Sequence, residues 1–147
     1  MGDRLDHVYY KSETTLPFKA NLGQENEFIL GGPTDEDLTT ENGLRFHVDW
    51  LRGQKTGFFV DQRENRALLE HYAKGRTVLN MFCYTGGFSV YAMRGGASQV
   101  HSVDSSAKAV ELTNATWRSI FRPRTIAMRL SARTPSSIST ATTTSTT

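Results

Sequence analysis

A single cysteine, Cys83, stands among the 147 residues. No intramolecular disulfide framework can form, and a lone thiol fits a reducing compartment, the cytoplasm. No apolar run approaches the ~20 residues that a membrane span needs. The opening "MGDRLDHVYYKS" lacks the apolar core of a signal peptide. The four histidines, His7, His47, His71 and His101, are scattered and match no metal-ligand spacing, so no metal is expected. Acidic residues are missing altogether after Glu111, and this makes the net charge of +2 misleading. Residues 1–111 hold 12 Lys and Arg against 15 Asp and Glu, whereas residues 112–147 hold five arginines and no acid. The basicity belongs to the tail, and an argument for RNA binding from overall charge would rest on that tail alone.

What is present divides by texture. Hydrophobic residues at 37% and aromatics at 10% suit a globular domain with a core. Residues 1–52 read as a small β-rich region of short strands and turns. "EFILGG" is a strand stopped by glycines, "GGPTDED" is turn chemistry, and "ENGLRFHVDWL" sets Asn-Gly before an alternation of Leu44, Phe46, Val48 and Trp50. Residues 53–115 change to α/β texture. "DQRENRALLEHYAKG" predicts a helix with Asp61 as N-cap, Gly75 as stop and a buried stripe of Ala67, Leu68, Leu69 and Tyr72. Strands follow near Thr77–Phe82 and Gln99–Val103, each leading into a helix, the second opening on serines. Strand, helix, strand and helix with short links predict a parallel sheet with right-handed crossovers. Residues 116–147 show no period, and eleven of the last fourteen are Ser or Thr, the composition of a disordered tail.

The chemistry gathers in "VLNMFCYTGGFSVYA". A strand ends in a turn at whose close Gly86 and Gly87 allow backbone N–H groups to approach a ligand. Asp104 ends the next strand, where an acid can accept hydrogen bonds from both ribose hydroxyls of an adenosine cofactor. No G-x-G-x-x-G is present: Phe82 and Tyr84 stand where the earlier glycines of a dinucleotide loop would fall. That argues against NAD and for a cofactor without phosphates, S-adenosylmethionine (SAM). On pattern alone a second reading stays open, a structural corner with Asp104 capping the following helix.

"GQKTGFFVDQRENR" followed by "VLNMFCYTGGFSVYAMRGGASQVHSVDSSAKAVELTNA" closely resembles the class I SAM-dependent methyltransferases that make 5-methylcytosine in bacterial large-subunit ribosomal RNA. The resemblance covers roughly Leu44 to Ala115. It implies a partial Rossmann-like sheet preceded by a β-hairpin region, SAM as cofactor, ribosomal RNA as partner and, in the family, a PUA domain ahead of the catalytic one. It places Phe82, Cys83, Tyr84, Thr85, Gly86 and Gly87 in the SAM-binding turn and Asp104 on the ribose. Gln62 and Arg63 would lie beside the cofactor, with Lys55 and Thr56 in an adjacent loop.

Cytosine-5 methylation uses a cysteine thiolate that adds to C6 of the base. Cys83 lies in the cofactor turn, whereas the family's nucleophile belongs to a later segment, so Cys83 is expected to be a buried structural thiol. The resemblance stops near Ala115, before the family's acid-Pro-Pro loop and nucleophile, and it assigns no catalytic residue here. The chain is therefore expected to be a truncated copy, inactive alone, with a tail out of frame relative to the family. The rival reading is a non-enzymatic α/β module that binds an adenosine ligand or a protein partner.

Overall fold

In the computed structural model residues 5–11, 26–34, 38–121 and 128–132 are described. They group into two compact units, Met1–Asp37 with Val48–Phe58 and Leu38–His47 with Phe59–Thr147. In the first unit β1 (Val8–Tyr10) pairs antiparallel with β2 (Glu27–Leu30), and the rings of Tyr9 and Phe28 lie 4.8 Å apart across the ladder. Among its described residues Val48 and Phe58 are buried and apolar.

The second unit begins with an antiparallel hairpin, β3 (Leu38–Glu41) and β4 (Leu44–His47). Asn42 and Gly43 both take positive φ, 48° and 78°, which makes a type I′ turn whose twist matches the strands. Leu44 and Phe46 are buried, as the alternation requires, but the strand stops at His47 and does not continue to Trp50. The hairpin packs with residues from 59 onward, although its texture groups it with residues 1–52.

α1 spans Arg63–Tyr72. It is preceded by a 3-10 turn over Val60–Gln62, so Asp61 lies inside that turn and is not the N-cap expected from the sequence. Its carboxylate accepts instead from the Gln62 side-chain amide at 2.9 Å. The buried stripe also differs. Leu68 and Tyr72 are exposed, and the inward face runs through Arg66, Leu69 and Ala73, spaced by three and four. Gly75, at φ +70°, ends the segment as expected.

The sheet is parallel, in the order β5 (Thr77–Met81), β6 (Gln99–Asp104), β7 (Met128–Ala132). α2 (Gly87–Arg94) connects β5 to β6 and stops at Gly95 and Gly96. A Cβ at Gly95 would lie 2.2 Å from the Glu70 carbonyl, so only glycine lets α1 and α2 approach this closely. Ala73, Ala92, Met93, Ala97 and Val100 form the core between these helices and the sheet, with Leu69, Val78, Trp117 and Phe121 packed around it.

α3 (Ala107–Ile120) opens on Ser106, whose side chain accepts from Ala109 N at 3.3 Å. It runs past Ala115, where the sequence texture predicts disorder. Thr116 is buried and its hydroxyl accepts from His47 N at 3.0 Å, while the rings of Trp117 and Phe121 stack at 4.3 Å. Tertiary contacts thus hold a turn of helix built from weak helix formers. β7 places a further part of the tail in the sheet, and residues 133–147 lie outside the described residues.

Candidate cofactor site

Residues 82–86 carry the chain from β5 into α2 with an unusual backbone. Phe82, Tyr84 and Gly86 all take left-handed φ, 57°, 48° and 77°. Such a conformation costs a non-glycine residue on the order of 1–2 kcal/mol. The positions where a dinucleotide loop would carry glycines therefore keep a glycine-like backbone here with aromatic side chains.

The surroundings hold that backbone in place. Cys83 N donates to Val103 O at 3.1 Å, and Gly86 N donates to Cys83 O at 2.7 Å. Tyr84 N donates to Asp104 Oδ2 at 3.0 Å, and the Thr113 hydroxyl donates to Tyr84 O at 2.8 Å. A Cβ at Gly86 would meet Thr113 Cγ2 at 2.6 Å, so α3 closes directly over the turn. The second oxygen of Asp104 accepts from Ser106 N at 2.9 Å. Asp104 thus ties the end of β6 to the turn after β5, and the cap of α3 belongs to Ser106.

β5 and β6 are parallel neighbours, with Met81 opposite Val103. Phe82 through Gly87 and Asp104 therefore meet at one end of the sheet, as the spacing predicts. Phe82 is 82% exposed at this end, whereas Cys83, Thr85, Gly86 and Gly87 are buried. Burial pushes the Cys83 thiol up, and the Asp104 carboxylate adds to the effect. Its Sγ lies 3.7 Å from the Thr113 hydroxyl. A protonated, buried thiol is a packing group and a poor nucleophile.

Other sequence candidates are placed differently. Gln62 bonds to Asp61 and Asn65, and Arg63 pairs with Glu64 at 3.3 Å with both side chains largely in solvent, so their hydrogen bonds run along their own segment. Lys55 and Thr56 belong to the other unit, where the Thr56 hydroxyl donates to Phe58 O at 2.8 Å. No group of three His, Cys, Asp or Glu among the described residues could hold a metal ion.

Three residues at the turn escape the sequence pattern. Thr113 holds its backbone; Phe59 sets its ring 5.6 Å from that of Tyr84; Arg66 lies against Gly87, where a Cβ would be 3.0 Å from Arg66 Cδ.

Residues 15–119 match the model of the S-adenosylmethionine-dependent methyltransferase family, four residues beyond where the sequence resemblance fades. A Tolumonas auensis protein named ribosomal RNA large subunit methyltransferase I is 49% identical over 107 residues, which are 71% of this chain and 27% of that protein. A Deinococcus radiodurans ribosomal RNA large subunit methyltransferase is 50% identical over 93 residues, 62% of this chain and 23% of its own length. A solved structure described as a methyltransferase complexed with SAH superimposes with a TM-score of 0.65 at 34% identity, covering 75% of this chain and 29% of the other. The chain spans about a quarter of the length of the curated relatives it matches. With a family match over most of its length and a parallel sheet of the class I methyltransferase type, the chain belongs to the S-adenosylmethionine-dependent methyltransferases.

Proposed function

We propose that this chain carries the cofactor-binding part of an enzyme that methylates large-subunit ribosomal RNA in the cytoplasm, at C5 of a cytosine. The observation that carries the reading is the turn of three left-handed residues joined to Asp104 at the end of the sheet. Both Asp104 oxygens already accept a backbone N–H, but a carboxylate offers about four acceptor sites, so room remains for two ribose hydroxyls. The turn presents no triplet of glycines for a pyrophosphate, which suits SAM. Phe82 to Gly87 and Asp104 would hold the cofactor. Gln62 and Arg63 would lie at the pocket's margin by resemblance to the family.

Bound SAM supplies an electrophilic methyl group. The residues described here bind and orient; the thiolate that cytosine C5 chemistry requires is not Cys83, whose thiol stays protonated. The named relatives support RNA as substrate, and the family resemblance supports C5 of cytosine and a PUA domain in the full-length enzyme. The same reading makes residues 116–147, the last turn of α3 included, an out-of-frame segment, which sequencing of the coding DNA checks directly.

Titration calorimetry with SAH tests the cofactor reading, and saturable binding is the expected result. Labelled SAM with unmodified large-subunit RNA should give no incorporation by this chain alone, because positioned groups act as a unit. Incorporation into cytosine by the pure chain would overturn the assignment of Cys83.

A further inference from the structure

We propose that Glu41, Arg66 and Tyr91 form a buried brace that positions the cofactor turn, and that the β3–β4 hairpin is thereby a working part of the cofactor site. The proposal rests on the cofactor reading above and adds residues that do not touch the ligand.

The three side chains are tightly joined. Arg66 is 3% exposed, and its Nε and Nη2 donate to the two oxygens of Glu41 at 2.8 and 2.7 Å. Tyr91, fully buried on α2, donates its hydroxyl to Glu41 Oε1 at 2.9 Å. Arg66 Nη2 also donates to Phe59 O at 3.0 Å. Its guanidinium lies 5.9 Å from the Phe88 ring and 6.0 Å from the Tyr91 ring.

A buried ion pair is a poor device for stability alone. Desolvating two charges offsets much of their attraction, and apolar replacements of similar volume are often as good. What such a pair supplies is fixed geometry, since a bidentate guanidinium and carboxylate meet in one orientation. Here that geometry is delivered to the turn at two points. The Arg66 stem sits against the backbone of Gly87, the first residue of α2. Phe59, whose carbonyl Arg66 holds, sets its ring edge-on to left-handed Tyr84. A second tier fastens the hairpin: Arg94 bonds to both oxygens of Glu70 on α1 and donates to Asn42 O in the hairpin turn. The hairpin is thus anchored to α1 and α2, and its carboxylate aligns the residues that flank the turn.

The test uses the whole chain, with Tyr91→Phe, Arg66→Lys and Glu41→Gln, and Val100→Ala as a control in the core away from the brace. Tyr91→Phe removes one hydroxyl and keeps the ring parallel to Phe46, so it should fold. Two readouts are taken, amide hydrogen exchange and SAH affinity. The brace predicts that Tyr91→Phe speeds exchange at the Tyr84 and Gly86 amides about three- to tenfold relative to the Ser102 amide of β6, and weakens SAH binding by a similar factor. Arg66→Lys, which cannot reproduce the bidentate contact, should do more of both. Val100→Ala should speed exchange across the unit without favouring the turn, and leave SAH affinity unchanged. Uniform acceleration in Tyr91→Phe and Arg66→Lys, with unchanged SAH affinity, would reduce the three residues to a structural role and overturn the proposal. Wild-type chain that fails to bind SAH would remove the cofactor reading, and the exchange pattern would still decide the brace.

Discussion

The two faces of β5 and β6 are built alike and treated differently. On one face Val100 and Ser102 are fully buried, with Val78 packed beside them. On the other, Leu79 is 62% exposed and Met81 50%, in register with His101 and Val103. Parallel strands read as apolar on both faces because both are normally covered. The strand "TVLNM" obeys that rule in sequence, while the described residues cover one face of it. The lesson is that the apolar content of a strand predicts its membership of a parallel sheet before it predicts its burial.

Truncating the covered face should have the largest effect. Met93→Ala removes a buried side chain from the core beside Val100 and should cost about 2–5 kcal/mol, read as a fall in the denaturation midpoint. An equal loss from Leu79→Ala would show that the second face is covered too and would break the comparison. Alkaline pH should come next. The Tyr91 hydroxyl is pushed up to about 12, first by burial and then by its bond to Glu41. Below the ordinary phenol range folded and unfolded chains are both protonated and nothing is lost. Between about pH 10 and 12 the unfolded chain ionises and the folded one does not, so stability should fall by roughly 2–3 kcal/mol. Tyr91→Phe should flatten that part of the profile.

At the sheet end where the two faces meet, Asp104→Ala should weaken SAH binding by about 1–3 kcal/mol, through lost charged hydrogen bonds and a loosened Tyr84 amide. Calorimetry at matched folded fraction reads it, and unchanged affinity would remove Asp104 from the site. The smallest effect belongs to the open face: Leu79→Thr should shift stability by less than about 0.5 kcal/mol and reduce self-association in light scattering.

The elements legible in the sequence are those whose signal is local. Strand, turn, helix and strand over residues 77–104 follow from β-rich runs, paired glycines and the distance to Asp104, and the turn and Asp104 meet where that spacing puts them. What escaped depends on distant partners. Glu41 and Arg66 are 25 residues apart and Tyr84 and Thr113 are 29 apart, and no periodicity records either pair. A charged residue on an apolar stripe reads as an interruption until its carboxylate is found, which is why the sequence pattern runs the buried face of α1 through Leu68 and not Arg66. The end of α3 is hidden in the sequence for the same reason, since Thr116 and Trp117 are held by His47 and Phe121 and not by helix propensity.

The hairpin also sets an order of events during synthesis. Its two-residue turn lets β3 and β4 pair within microseconds of being made. The Arg66 that neutralises Glu41 is 25 residues further along, and the Tyr91 that donates to it is 50. Counted from the end of β4 at His47, and at about 5–20 residues per second on the ribosome, the hairpin waits roughly 1–4 s for the first partner and 2–9 s for the second. Through that interval Glu41 is a hydrated surface carboxylate on a marginal two-stranded ribbon. The arrival of Arg66 then turns the same residue into an interior one.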